Sequence, residues 1–194
     1  MKKRLLTASL ALLLLFTACS EDPVSDDADT LTQDQITELV QELGGRALSS
    51  IFRSGNAGKT TRQIIIDETQ ACPDGGTVQV VGELAGETGS GSGTLTLDVD
   101  EILDDCGLDL DGQPYVINTV PALNGTGTVV VQQGTFQETQ MLFLSGALSL
   151  QGSRGPALSC SLDLTLAVTV SDRSASVTGT ACGVAVDVPL TYEP

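Results

Sequence analysis

Between residues 158 and 170 apolar and polar side chains alternate. Cys160, Leu162, Leu164, Leu166, Val168 and Val170 fall on one side, with Ser161, Asp163, Thr165 and Thr169 on the other. A period of two is that of a β-strand with one face in a core and one in water. The period recurs at 94–100, where Leu95, Leu97 and Val99 oppose Thr94, Thr96, Asp98 and Asp100. Runs at 62–69, 77–84, 115–120, 125–132, 135–144, 147–151 and 175–188 also have strand composition. Turn-forming stretches such as Cys72-Pro73-Asp74-Gly75-Gly76 and Ser171-Asp172-Arg173-Ser174 separate them,. About eight strands joined by turns rather than helices pair antiparallel. The chain is therefore expected to be mainly β. An antiparallel sandwich and a barrel or half-barrel both satisfy the pattern.

One segment breaks the period. Across 32–52, Ile36, Leu39, Val40, Leu43, Ala47, Leu48 and Ile51 follow helical spacing, and Thr32 with Gln35 has the form of a capping box,. Gly44 and Gly45 interrupt this helix, each at about 1 kcal/mol relative to Ala, so a break or kink is expected there,. The apolar face suits packing on its own sheet.

Two glycine-rich stretches imitate nucleotide sites. Ser54-Gly55-Asn56-Ala57-Gly58-Lys59-Thr60 ends like a phosphate-binding loop, but its first glycine would fall on Arg53. A helix precedes it and a strand follows, the reverse of what the motif needs. The Gly/Ser run at 86–93 has no helix after it and reads as a flexible turn,. Nucleotide binding is not expected at either.

Composition removes further classes. The chain has no histidine, which rules out Ser-His-Asp and Cys-His catalysis and His-ligated zinc,. Aromatic residues are only 3% and Trp is absent, so stacking platforms for sugars or bases are scarce,. A formal charge of −16 argues against nucleic acid, whose phosphates need clustered Lys and Arg,. The densest acidic run holds Asp98, Asp100, Glu101, Asp104, Asp105, Asp109 and Asp111. Calcium favours such oxygen-rich loops, but only Asp109-Leu110-Asp111-Gly112 resembles part of an EF-hand, and a solvated loop is the plainer reading. Asp98 and Asp100 share a strand face and would be the pair for acid–base chemistry, with a solvated face again the simpler account. No metal, cofactor or catalytic residue is expected.

The N-terminus reads differently from the rest. Lys2, Lys3 and Arg4 precede an apolar run to Phe16 that is too short to span a bilayer, and Thr17-Ala18-Cys19 follows,. The Phe16-Thr17-Ala18-Cys19 ending resembles the lipobox of bacterial lipoprotein precursors, with Phe16 where Leu is usual. The resemblance implies cleavage of a signal peptide (1–18) and lipidation of Cys19. Ser20 in second place favours an outer-membrane anchor over inner-membrane retention. Loss of the leader would leave six Lys+Arg against 25 Asp+Glu, a formal −19. Residues 19–30 then form an acidic tether, because five carboxylates and one Pro cannot offset their ordering entropy,. Residues 31–194 form a single β-rich domain.

With Cys19 given to lipid, Cys72, Cys106, Cys160 and Cys182 remain, an even number suited to two disulfides in an oxidising compartment,. The sequence-local pairing, Cys72 with Cys106 and Cys160 with Cys182, is preferred. Placing Cys160 directly opposite Cys182 sets Leu164 against Thr178 and Leu166 against Ser176, so a bulge near Gly179 is expected to restore the phase. The functional expectation is a lipid-anchored envelope lipoprotein, a non-catalytic binding or structural module with a protein partner. The alternative is a carrier holding an apolar ligand between sheet and helix.

Overall fold

A computed structural model describes residues 30–55, 63–89, 91–133 and 135–193. Helix α1 (Gln33–Gly55) is followed by ten strands: β1 (Gln63–Ala71), β2 (Thr77–Gly89), β3 (Ser92–Asp104), β4 (Cys106–Leu110), β5 (Gln113–Gln132), β6 (Thr135–Phe136), β7 (Thr139–Gly152), β8 (Leu158–Thr169), β9 (Ser174–Ala181) and β10 (Val184–Thr191). All pair antiparallel in one sheet of order β1-β2-β3-β5-β7-β8-β9-β10, with β4 and β6 added along β5. The sheet is mainly β as expected, but it does not close into a barrel.

Its two end strands are instead joined through the helix. Arg46 Nη1 donates to the Ala71 carbonyl of β1 (3.1 Å), and Gln41 Nε2 to the Pro189 carbonyl of β10 (2.8 Å). Beside them, Gln70 Nε2 of β1 donates to Ser50 Oγ (2.9 Å), and Ser49 Oγ accepts from the Glu193 N–H just past β10 (3.2 Å). Both ends of the sheet reach one helix, so the sheet is curled and α1 lies in its open seam. The helix core residues Leu39, Val40, Leu43, Leu48, Ile51 and Phe52 join the inward-facing residues of the sheet in one apolar cluster. Phe52 stacks on Tyr192 (centroids 5.2 Å) and meets Phe136 edge-on (5.4 Å),.

Several local readings are refined. The capping box forms, with Gln35 N–H donating to Thr32 Oγ1 (3.2 Å) and Thr32 N–H to Gln35 Oε1 (2.9 Å). The expected break at Gly44-Gly45 does not occur, and α1 runs on to Gly55. Gly44 serves close approach instead: a Cβ there would lie 2.8 Å from Leu190 Cδ2. The strands at 115–120 and 125–132 are one 20-residue strand, β5, whose register against β7 shifts between Thr119 and Leu123. The runs at 135–144 and 147–151 likewise resolve into short β6 and a β7 that passes through Gly146. The segment 175–188 is a hairpin, β9 and β10, and β4 is a strand that the pattern did not announce.

Candidate functional site

The acidic run of 98–111 is split by the sheet into three places. Asp98 and Asp100 point outward from β3, where Asn124 Nδ2 reaches both (3.3 and 3.5 Å). Asp104 and Asp105 sit at the β3–β4 turn, with Asp105 at φ 48° and its N–H bonded to Asn118 Oδ1 (2.8 Å). Asp109 and Asp111 belong to the β4–β5 hairpin and face α1, where Glu38 accepts from the Asp111 N–H. Among the described residues no three acidic, Cys or His side chains are arranged to hold a metal ion.

Glu101 is separate from all of these. The alternation read over 94–100 stops at Asp100 and leaves Glu101 among the carboxylates of the acidic run. In the fold the period continues, and Glu101 takes the inward place between Val99 and Leu103. It is 1% exposed, and neither carboxyl oxygen has a hydrogen-bond partner. Burial pushes its pKa up to about 8, against the opposing field of Arg46,. The carboxyl is thus largely protonated at neutral pH. The signal that finds it is in the sequence: extending the alternation by one residue places it in the core.

An open cleft of about 860 Å³ lies between the first half of α1, the β4–β5 hairpin and β10. Glu38, Glu42, Asp74, Asp109 and Asp111 line it, over the buried Leu108, Leu110 and Leu190, and no Lys or Arg is among its lining residues. Such a lining favours cations. A second cleft, about 300 Å³, lies where Arg46, Arg53 and Gln70 meet Tyr192 and Glu193. Burial raises the pKa of Tyr192, with Arg173 opposing and Glu138 adding to the shift. Its hydroxyl is buried without a partner.

The cysteines of the domain are joined in the sequence-local arrangement. Cys72 bonds Cys106 (Cα–Cα 5.5 Å) and Cys160 bonds Cys182 (4.2 Å). The first links the start of the β1–β2 turn to β4. The second corrects the expected register. Strand β9 lies one residue further along, with Leu162 opposite Ala181, Leu164 opposite Gly179 and Leu166 opposite Val177. Inward residues therefore face inward residues, and the ladder needs no bulge. Cys182 sits beyond the last pair, in the β9–β10 turn at φ 52°, and its N–H bonds the Ser161 carbonyl (2.8 Å). Cys19, the expected signal peptide and all but the last residue of the expected tether lie outside the described residues, as does most of the Gly-Lys-Thr stretch.

Compared with known protein families, curated proteins and solved structures, the chain finds no match in any of the three.

Proposed function

We propose that this chain is a lipid-anchored lipoprotein of the bacterial cell envelope whose β-domain works by binding another protein at its surface and catalyses no reaction. The observation that carries the choice between binding module and carrier is the placement of α1. A carrier needs its lumen, and here the seam is occupied by a helix hydrogen-bonded to both end strands,. The residues that face inward, from Ile36 on the helix to Val188 on β10, are packed against one another in a single core. Function then falls to the outer surface, which is strongly acidic. The lipid anchor is supported by the lipobox resemblance at Cys19, and the disulfides agree with an oxidising compartment,.

Two measurements test this reading. Cys19→Ala should yield a product that is uncleaved or released from the membrane fraction; normal cleavage with unchanged membrane retention overturns the anchor. Native mass spectrometry of protein extracted from its own membranes should show a protein bound and no small apolar ligand. A stoichiometric lipid or other apolar cargo would favour the carrier.

A further inference from the structure

The outer face of the sheet contains an uncharged area around two exposed large side chains, Phe143 and Met141. Thr126, Phe143, Thr165 and Thr178 form a cross-strand row over β5, β7, β8 and β9, and Thr128, Met141, Ala167 and Ser176 form the next. Met141 is 46% and Phe143 50% exposed, in a chain with only four Phe and two Met. Cross-strand spacing near 4.8 Å makes the patch about 15 Å wide over four strands. Small Thr, Ser and Ala side chains surround the two large ones, so Phe143 and Met141 stand above their neighbours.

Carboxylates border one half of this patch, around Phe143, while the Met141 row ends in Thr96 on β3 and Pro189 on β10. The Phe143 row ends in Asp98 on β3 at one side and Asp187 on β10 at the other. Asp163 closes it along β8, and all three are exposed. None of the ten strands contains a Lys or Arg. An apolar centre with a polar rim, here carboxylate on the Phe143 side, is the anatomy of a protein–protein interface. The sign of the rim selects the partner. A second copy would bring carboxylate rims together, and an anionic lipid surface would be repelled.

Resting on the reading of this chain as a surface-acting binding module, we infer that the outer face of β5, β7, β8 and β9 docks a protein whose contact surface has an apolar centre ringed by Lys or Arg. Phe143 and Met141 enter that centre, and Asp98, Asp163 and Asp187 meet the surrounding cations. Attraction between such rims raises the encounter rate and fixes orientation.

The test uses the full chain in its native cells, with a photo-crosslinking phenylalanine analogue at position 143 and, as a control, at Ile65 on the outer face of β1. The expected result is one protein adduct from position 143 and none from position 65. Its crosslinked peptide should carry an apolar residue flanked by Lys or Arg. With the probe moved to Thr178, Phe143→Asp should reduce the adduct at least tenfold, and Asp98→Asn with Asp187→Asn several-fold, while the thermal midpoints stay within a few degrees. An adduct to a second copy, to lipid, or to a surface lacking Lys and Arg overturns the inference, as does no adduct at all. A protein adduct from position 65 alone would overturn this face and leave the binding-module reading standing.

Discussion

Glu101 is turned into the core with neither oxygen hydrogen-bonded, and Arg46, the cation whose field reaches it, is already held by Glu42 and by the Ala71 carbonyl. Arg46 therefore spends its hydrogen bonds on tying α1 to β1, and gives Glu101 only a partial offset to its desolvation.

A pH dependence follows from this pair. The folded pKa of Glu101 is raised to about 8 from 4.5, so the folded state holds a proton that the unfolded chain releases between those values. Its contribution to stability is complete below about pH 4.5, declines as pH rises towards 8, and is lost above it. Each unit is about 1.4 kcal/mol, so the full loss is on the order of 5 kcal/mol. Urea unfolding followed by circular dichroism should show this decline in the parent. Glu101→Gln should be flatter with pH and the more stable of the two at pH 9. Comparing the two proteins cancels the general repulsion among the other carboxylates. Parallel pH profiles would show that Glu101 finds a partner or water in solution.

Much of this fold was legible in the sequence because one face of nearly every strand is buried and the other is wet. Where that held, as at Leu95 to Val99 and Leu162 to Val168, phase and face were both readable. The failures came where a residue that usually ends an element is passed through. Gly146, at φ 149°, lies inside β7 opposite Leu123 and Leu162, and the irregularity between Thr119 and Leu123 is absorbed within β5. Glycine there answers to a neighbour across the sheet, since a Cβ would come 2.8 Å from the Ala122 carbonyl. Single-strand patterns carry no information on such contacts. Glu101 was missed for the opposite reason, because its charge outweighed a periodicity that was correct.

The two helix glycines should respond in opposite directions. At Gly45 a new Cβ would have only the Thr191 carbonyl nearby, at 3.5 Å, an ordinary contact. Gly45→Ala should stabilise by about 1 kcal/mol through helix propensity. At Gly44 a Cβ would press on Leu190 at 2.8 Å and lies in the helix–β10 contact, so Gly44→Val should cost about 1–3 kcal/mol,. Equal effects in thermal melts would mean that α1 does not pack on β10 as closely as described.

Each disulfide should add to stability through the loop that it closes. The sequence separations are 34 and 22 residues, for which restriction of the unfolded chain predicts about 3–4 kcal/mol each,. Cys72→Ala with Cys106→Ala, and Cys160→Ala with Cys182→Ala, should lower the urea midpoint by similar amounts. Peptide mapping without reduction should recover Cys72–Cys106 and Cys160–Cys182. A Cys106–Cys160 peptide would mean that the sheet is wound differently.

Gln140 is the remaining polar side chain with a structural task that single substitutions can isolate. It is buried, and its Oε1 accepts from the Val130 N–H (2.9 Å) while its Nε2 donates to the carbonyls of Val130 (3.2 Å) and Gln137 (2.7 Å). One amide thus satisfies three backbone groups where β5 turns towards β7. Gln140→Leu keeps the apolar contacts and abandons the Val130 N–H and the Gln137 carbonyl, which should cost about 1–3 kcal/mol or more,. The Val130 carbonyl still accepts from the Gln137 N–H. Gln140→Glu keeps the acceptor but sets a carboxylate oxygen against two carbonyl oxygens, so at pH 7 it should be the worse variant. Protonation restores one donor, and the deficit of Gln140→Glu relative to the parent should therefore shrink as pH falls from 7 towards about 4.5 and stay level below that. Gln140→Leu has nothing to titrate, and its deficit should stay level over the same range. If the glutamate variant instead tracked the leucine variant at every pH, the Nε2 donations to Val130 and Gln137 would not be holding this turn.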